Sequence, residues 1–393
     1  MMLQTMFDFA KDALQTGFRL APWPAEPGLR QIGKPGPLSP VLVTCNFDFT
    51  VRRVMRAMRD NDAWLVVAPS SGINVWCAAS GGHLGTHQVV TALKTSGVAE
   101  RVQHRRAMLP QLAATGVIAR EVERRSRWQV KFGPVYAKDI PRYLAQHEKK
   151  TDDMRHVRFG MPERLEMAVT WAVPMSLIGA IALLLFHRAW LLPAVGMVWL
   201  LAIAVFTIYD RLLGQRFLLL ALVASLISLG LTAIAGGGLA ALIAAPLAST
   251  AISALLTFDY SGSTPIEGGS HFKEARWHIT LDTERCKGVY FCWQVCPEAC
   301  FEKREDVRKV EIAHSDRCIR CGACVVQCPT DALSFEGEKG SRIEPATIRR
   351  FKLNLLGQRT VDAGVLGSDG EGTALSALCV SRTSVDISQS GSE

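Results

Sequence analysis

The sequence predicts a multi-domain protein with a Rossmann-like α/β domain, a bundle of about four transmembrane helices and a small α+β domain. Three observations lead to this prediction. Strand-like and helix-like segments alternate in residues 39–160, four uncharged apolar runs follow in residues 165–258, and most of the 11 cysteines lie near the C-terminal end. A chain of 393 residues has room for two or three domains.

Composition and charge favour a membrane protein. The hydrophobic content is 49% and the mean hydropathy is +0.16, values that are high for a soluble protein of this size. The net charge of +8 fits lysines and arginines gathered on the cytoplasmic side of a membrane. No basic run is interleaved with aromatic residues, so no nucleic-acid partner is expected. The start "MMLQTMFDFAKDALQ" lacks a secretory signal pattern, and residues 1–38 are expected to stay in the cytoplasm.

The α/β domain is predicted at 39–160. "PVLVTC" and "AWLVVAP" read as strands, "HQVVTALKTSG" has helical spacing, and "WQVKFGPVYAKDIPRYL" reads as a strand, a turn and a helix. This alternation favours a parallel sheet, whose ligands bind on the loops beyond the carboxyl ends of the strands.

The loop "SGINVWCAASGG" lies at such a position. Asn74 is suited to cap a short helix whose first turn presents Cys77. A thiol at a helix N-terminus has a lowered pKa and is a better metal ligand. A packed core thiol remains the alternative for Cys77.

Four transmembrane helices are predicted within residues 165–258, each close to the ~20 residues that cross a bilayer. Arg164 precedes the first helix, and Arg211 and Arg216 lie between the second and third, which places these segments in the cytoplasm. An even number of helices puts both soluble domains on the cytoplasmic side of a multi-pass protein of the cytoplasmic membrane. A linker is expected at 259–277. The predicted spans are 167–186, 190–209, 217–235 and 239–258.

The strongest motif lies in residues 278–337. "CIRCGACVVQCP" has the C-x-x-C-x-x-C-x-x-x-C-P spacing of bacterial-type ferredoxins, in which three close thiolates hold one cluster and the fourth cysteine ligates the other cluster. This rule predicts one complete [4Fe–4S] cluster. Its ligands are Cys318, Cys321, Cys324 and Cys296.

The second cluster is predicted to be incomplete. In "CKGVYFCWQVCP" the position of a second cysteine is occupied by Val289. Three thiolates suit a [3Fe–4S] cluster, or a [4Fe–4S] cluster with one ligand that is not cysteine. Cys300 is near enough to substitute, although its spacing fits no known pattern, and a flexible tail is predicted at 338–393. The remaining ligands are Cys286, Cys292 and Cys328.

Several strings carry a resemblance to a known family. "GINVWCA", "GHLGT", "HRRAMLPQLAATGV", "FGPVYAKDIPRYL" and "LTFDYSGSTP" together resemble the corrinoid protein of microbial mercury methylation. The C-terminal domain resembles the ferredoxin partner of that protein, here fused to it. The N-terminal part is more distantly similar to the corrinoid subunit of the acetyl-CoA pathway.

The resemblance implies a corrinoid (cobalamin-type) cofactor whose cobalt has Cys77 as its axial ligand and catalytic thiolate. It also implies a methyl transfer from the corrinoid to Hg(II) or another soft electrophile, with the iron–sulfur domain re-reducing cobalt. The implied partners are the membrane, a methyl-donor protein or methyl-tetrahydrofolate, and a low-potential electron donor. The implied corrinoid-binding residues of the cap helix are Asn74, Trp76, Cys77, Ala78 and Ala79.

Two alternatives remain open at this point. One is a corrinoid iron–sulfur methyl carrier with an acceptor other than mercury. The other is a membrane electron-transfer protein without methyltransferase activity, whose α/β domain docks a partner. Binding of cobalamin distinguishes the second alternative from the other functions.

Overall fold

The computed structural model describes residues 2–186, 188–212, 216–263, 277–337 and 340–351. Within these ranges the chain forms a mixed α/β domain, four long apolar helices and a cysteine-rich α+β domain. Most of the predicted linker, and most of the predicted tail with Cys379, lie outside the described residues.

A five-stranded sheet forms the centre of the α/β domain, in the order β1-β3-β2-β4-β5. Strands β2 to β5 are parallel, and β1 is an antiparallel edge strand. All residues of β2 and β3 are buried, because helices cover both faces of the sheet. The strands are β1 (Gly28–Ile32), β2 (Val41–Cys45), β3 (Ala63–Ala68), β4 (Arg106–Leu109) and β5 (Gln129–Phe132).

The helices of this domain connect the strands and cover the sheet. The sequence does not predict α1 or β1 in the N-terminal segment. Strand β1 is a half-buried edge strand with only one fully buried residue, and such a strand resembles a loop in sequence. The helices are α1 (Met2–Gly17), α2 (Asp48–Ala57), α3 (Val75–Ser80), α4 (Thr86–Thr95), α5 (Val98–Arg101), α6 (Ala119–Ser126), α7 (Ile140–Ala145) and α8 (Asp152–Arg155).

Four further helices are long and apolar enough to cross a membrane. The first begins before the predicted start at residue 167, and the last continues past residue 258 into the predicted linker. The first of these extensions is anchored by protein contacts, because Arg164 donates to Asp210 at 2.7 and 2.9 Å and joins the first helix to the end of the second. The helices are α9 (Met161–Phe186), α10 (Leu191–Ile208), α11 (Arg216–Ile234) and α12 (Leu239–Ser263).

The α+β domain packs directly on the α/β domain. Val295 and Ala323 from the former belong to the same hydrophobic core as the sheet of the latter, so the two soluble parts lie at the same end of the four helices. The elements of this domain are β6 (Trp277–Leu281), α13 (Phe291–Val295), β7 (Phe301–Arg304), β8 (Lys309–Ile312), α14 (Ala323–Gln327), β9 (Leu333–Gly337), β10 (Arg342–Ile343) and α15 (Pro345–Phe351).

Candidate ligand cavity and cysteine sites

The loop that leads into α3 is fixed by one buried amide. Asn46, directly after β2, accepts hydrogen bonds at Oδ1 from the backbone N–H groups of Ser70 (2.8 Å) and Gly72 (2.9 Å). Gly72 has a φ of +67°, and a Cβ there would lie 2.6 Å from the backbone nitrogen of Pro24, so only glycine fits this turn. Asn46 therefore fixes the loop that leads into α3.

The predicted cap of α3 is present. The Oδ1 atom of Asn74 accepts the backbone N–H of Cys77 at 3.0 Å. Trp76 is half-buried, while Cys77 is exposed. Ala78 and Ala79 are fully buried within the domain, and neither they nor Cys77 line the adjacent cavity.

A cavity of about 330 Å³ lies beside α3 at the carboxyl edge of the sheet. Asn74 and Trp76 line it, together with the first turns of α9. The buried Oγ1 of Thr44, at the end of β2, has no oxygen or nitrogen partner among the described residues, as expected of a group that contacts a ligand. The sheet side of the cavity is formed by Leu42, Thr44, Leu109, Pro110, Gly133 and Val135.

Charged side chains at the rim of this cavity form ion pairs with one another. Arg19 and Arg53 both pair with Glu166 of α9, the first at 3.4 Å. Burial lowers the pKa of Arg19, and the charges of Glu166 and Cys77 act in the opposite direction. Arg19 therefore lines the cavity within electrostatic reach of the Cys77 sulfur.

The cysteine-rich domain contains an internal repeat, and the same backbone features occur at equivalent positions of its two halves. The N–H of Cys300 points at Sγ of Cys296 (3.4 Å), and the N–H of Ala332 points at Sγ of Cys328 in the same way (3.3 Å). Positive φ angles also recur, at Gly288 (61°) and Tyr290 (60°) in the first half and at Arg320 (54°) and Gly322 (75°) in the second half. In this repeat Val289 occupies the position of Cys321.

One small cavity in this domain brings together the four cysteines predicted to hold a complete cluster. Cys300, considered from the sequence as a substitute ligand for the second cluster, is instead a fifth thiol at this cavity. The internal repeat identifies it as the counterpart of Ala332. The hydrogen bond from the Cys300 thiol lowers the pKa of Cys296. The Nε and Nη2 atoms of Arg320, also at this cavity, have no partner among the described residues, which suits an anionic occupant. The cysteines are Cys296, Cys300, Cys318, Cys321 and Cys324.

The second cavity brings together the three remaining motif cysteines. Cys286, Cys292 and Cys328 line it with Val289, whose side chain is 44% exposed. Burial raises the pKa of Cys292 to about 12, so a free thiolate is disfavoured there unless a positive centre such as an iron ion stabilises it. Because Val289 is exposed, this cavity is open to solvent at the position of the missing thiol.

Comparisons with known families divide the chain in the same way. The model of the CO dehydrogenase/acetyl-CoA synthase delta subunit matches residues 11–144, which include the sheet, α3 and most of the cavity. The model of the 4Fe-4S binding domain matches residues 312–334, which carry Cys318, Cys321, Cys324 and Cys328.

Individual relatives agree with this division. The gamma subunit of the acetyl-CoA decarbonylase/synthase complex from Methanopyrus kandleri is 33% identical over 125 residues, which are 31% of this chain and 27% of that subunit. The Archaeoglobus fulgidus gamma subunit is 31% identical over 128 residues, 32% of this chain and 27% of its own length. A ferredoxin from Methanothermococcus thermolithotrophicus is 41% identical over 60 residues, 15% of this chain and 97% of the ferredoxin. The chain thus spans about a quarter of the gamma subunits that it matches.

Proposed function

We propose that this chain, whose cysteine-rich domain belongs to the ferredoxin family and whose α/β domain is related to subunits of CO dehydrogenase/acetyl-CoA synthase, is a membrane-bound corrinoid iron–sulfur methyl carrier. The four apolar helices are its membrane anchor. Its soluble domains are proposed to face the cytoplasm, and its methyl acceptor is proposed to be a soft electrophile.

The observation that carries this proposal is the cavity at the carboxyl edge of the sheet. The half-buried Trp76 lines the cavity, the exposed Cys77 follows on the same short helix, and the buried Thr44 hydroxyl lies on the sheet side. This is the position at which parallel α/β sheets bind ligands. Trp76 and the apolar sheet side suit a flat macrocycle, and the Cys77 thiol lies one residue beyond the lining.

The residues of the chain have separate roles in this proposal. A corrinoid bound there would supply a cobalt centre that takes up and releases a methyl group. Cys77 would ligate the cobalt from a helix that is capped by Asn74, and Trp76 would be one wall of the pocket. Arg19 lines the same cavity, where it pairs with Glu166.

The iron–sulfur domain is proposed to keep the bound cobalt reduced. Cys296, Cys318, Cys321 and Cys324 would ligate a [4Fe–4S] cluster, and Cys286, Cys292 and Cys328 a second, three-cysteine cluster. The common hydrophobic core of the two soluble domains supports this role, because it keeps the cysteine-rich domain packed against the domain that would hold the cobalt.

The more specific part of this proposal is the identity of the methyl acceptor. Hg(II) follows from the resemblance of the α3 region to the mercury-methylation family, and its affinity for thiolates suits the exposed Cys77. Assays with Hg(II) and with other soft electrophiles as acceptors test this assignment. Methylation of Hg(II) by the loaded wild-type protein, and its loss in Cys77→Ala, are the expected results.

The first experiment is anaerobic purification with cobalamin, followed by visible and EPR spectra of the wild type, Cys77→Ala and the control Ser80→Ala on the same helix. We expect a base-off cobalt spectrum that changes in Cys77→Ala and is unchanged in the control. A protein that has iron–sulfur signals and retains no cobalamin would contradict the methyl-carrier function and would support the membrane electron-transfer alternative.

A further inference from the structure

A single helical turn separates the ligand cavity from the iron–sulfur domain. This bridging turn, Gln111–Thr115, directly follows β4 and Pro110. Pro110 and Leu112 line the ligand cavity, whereas Gln111 and Ala114 contact the iron–sulfur domain. The separation is therefore one layer of chain, about 10 Å for a helix with its side chains.

Gln111 holds one side of this junction. Its Nε2 donates to the carbonyl oxygens of Arg155 (2.7 Å) and Cys296 (3.5 Å), and its Oε1 accepts from Nζ of Lys150 (2.8 Å). Lys150 also donates to the carbonyl oxygens of Gly133 on the cavity wall (3.1 Å) and Gln294 of α13 (2.8 Å). One network thus joins the cavity wall, the bridging turn and a cluster-binding segment.

Gln327 holds the other side. Its Nε2 donates to the carbonyl oxygens of Ala114 (2.8 Å) and Val117 (2.7 Å), and its Oε1 accepts the N–H of Ala119 (3.3 Å). Gln111 is 1% exposed and Gln327 is 7% exposed. If the domains separate partially without admitting water, Gln327 loses all three of these partners, and Gln111 loses the Cys296 carbonyl. An unpaired buried amide is unfavourable.

The four-cysteine cavity is the one that faces the α/β domain. Cys321 packs against the hydrophobic core of that domain. The backbone N–H of Val157, a residue of the ligand-cavity wall, donates to the carbonyl oxygen of Pro297, directly after Cys296 (3.1 Å). The three-cysteine cavity instead has the exposed Val289 at its outer side.

We propose that Gln111 and Gln327 are positioning residues that hold the four-cysteine cavity against the ligand cavity as a fixed electron bridge, an inference that rests on the proposed function. With a reduced cluster in the four-cysteine cavity and a corrinoid in the ligand cavity, these residues would hold the two groups about one layer of chain apart, which would suit the transfer of one electron without bond making, bond breaking or proton movement. A low-potential iron–sulfur or flavin protein restores the cluster, delivering its electron at the exposed three-cysteine cavity.

The test measures proximity in the full-length, membrane-extracted protein, loaded with cob(II)alamin and with the clusters reduced. The expected result is an EPR spectrum of cobalt that is broadened by the nearby cluster. Gln111→Ala with Gln327→Ala should lose this broadening while the separate cobalt and cluster signals keep their intensity. Gln129→Ala, an exposed glutamine on β5, is the matched control and should keep the broadening.

A second measurement gives the same distance information without any corrinoid. A nitroxide label on Cys77, in a Cys379→Ser background, should relax faster when the cluster is reduced, and the double glutamine variant should lose this effect. No cluster effect on the label in the wild type overturns the fixed bridge, whatever the result with cobalamin. A cluster effect on the label without cobalamin binding supports the bridge and contradicts only the methyl-carrier function.

Discussion

At the residue scale, Asn46 shows how a polar core residue positions a site that it does not touch. Its side chain joins the loop after β2 to the loop after β3 and also donates to the carbonyl oxygen of Ala25 (3.1 Å). The loop after β3 leads directly to Asn74, which caps α3. The orientation of Cys77 therefore depends on a chain of hydrogen bonds that begins in the sheet.

The two cysteine cavities differ at Val289, which occupies the position of a cysteine ligand in the three-cysteine cavity. We expect Val289→Cys to supply the missing thiolate, because this position corresponds to Cys321 in the repeat. The iron content should rise by about one atom per chain, and the oxidised-state EPR signal of a three-iron cluster should be lost.

The control for this prediction is Val307→Cys, which adds an exposed thiol at a residue that lines neither cysteine cavity and should leave the spectrum unchanged. An iron content and EPR spectrum that do not change in Val289→Cys would contradict this prediction, because the added thiol then recruits no further iron at this cavity.

Lys150 should make the stability of the domain interface depend on pH. Burial, and to a lesser extent Arg155, lower its pKa from 10.5 to about 7. Between these values the unfolded chain binds a proton that the folded chain lacks. The contribution of Lys150 is thus most favourable above pH 10.5 and is lost as the pH falls towards 7.

We expect the free energy of unfolding to rise with pH between 7 and 9 by about 1 kcal/mol per pH unit from this residue. Lys150→Met should remove this part of the slope, and the exposed neighbour Lys149→Met should keep it. Denaturant titrations of the three proteins, followed by tryptophan fluorescence, measure the difference. Equal slopes in the wild type and Lys150→Met would contradict the lowered pKa.

At the scale of elements, the position of α3 is set by close backbone packing. A Cβ on Gly116, at the end of the bridging turn, would lie 2.5 Å from the carbonyl oxygen of Ala79 and 2.6 Å from that of Leu84. Backbone atoms cannot move aside as a flexible side chain can. The glycine therefore allows the cap helix to approach the turn that leads to the iron–sulfur domain.

We expect Gly116→Ala to displace α3, to destabilise the α/β domain by about 1–3 kcal/mol, and to weaken cobalamin binding. Gly36→Ala is the matched control, since a Cβ there meets no atom within 4 Å. Thermal unfolding and cobalamin titration measure the two effects. Unchanged cobalamin binding in Gly116→Ala would show that the position of α3 does not determine the site.

The elements also show which features of the fold are readable in the sequence. Strands β2 and β3 were predicted because they are buried on both faces and therefore continuously apolar. Strand β1 was not predicted, because an edge strand with half-buried residues resembles a loop. The capped α3 was predicted from Asn74, but the inward placement of Ala78 and Ala79 depends on packing against distant segments.

At the scale of the whole molecule, the cysteine spacing predicted which thiols share a cavity, and the structure groups them in the same way. The grouping can be predicted from the sequence because the cysteines of each motif lie close together along the chain. The junction between the domains is not readable, because Gln111 and Gln327 look like ordinary polar residues and their partners lie up to 213 positions away. Long-range contacts of this kind are visible only in the folded chain.

The arrangement of the whole molecule also determines how it should lie in the membrane. The soluble domains occupy one end of the four helices, and Arg155, Arg158 and Arg164 lie at that end before or at the start of α9. The segment between α10 and α11 is at the same end, because Asp210 there pairs with Arg164. From the positive-inside rule we expect this end to face the cytoplasm.

A thiol reagent that does not cross membranes tests this orientation, because Cys77 is exposed. We expect an impermeant maleimide to label the protein at Cys77 in inside-out vesicles and to leave Cys77 unlabelled in right-side-out vesicles of the same membrane. Cys77→Ser identifies the signal that belongs to this residue. Labelling of Cys77 only in right-side-out vesicles would reverse the orientation, and it would place the cavity and both cysteine sites outside the reach of cytoplasmic methyl and electron donors.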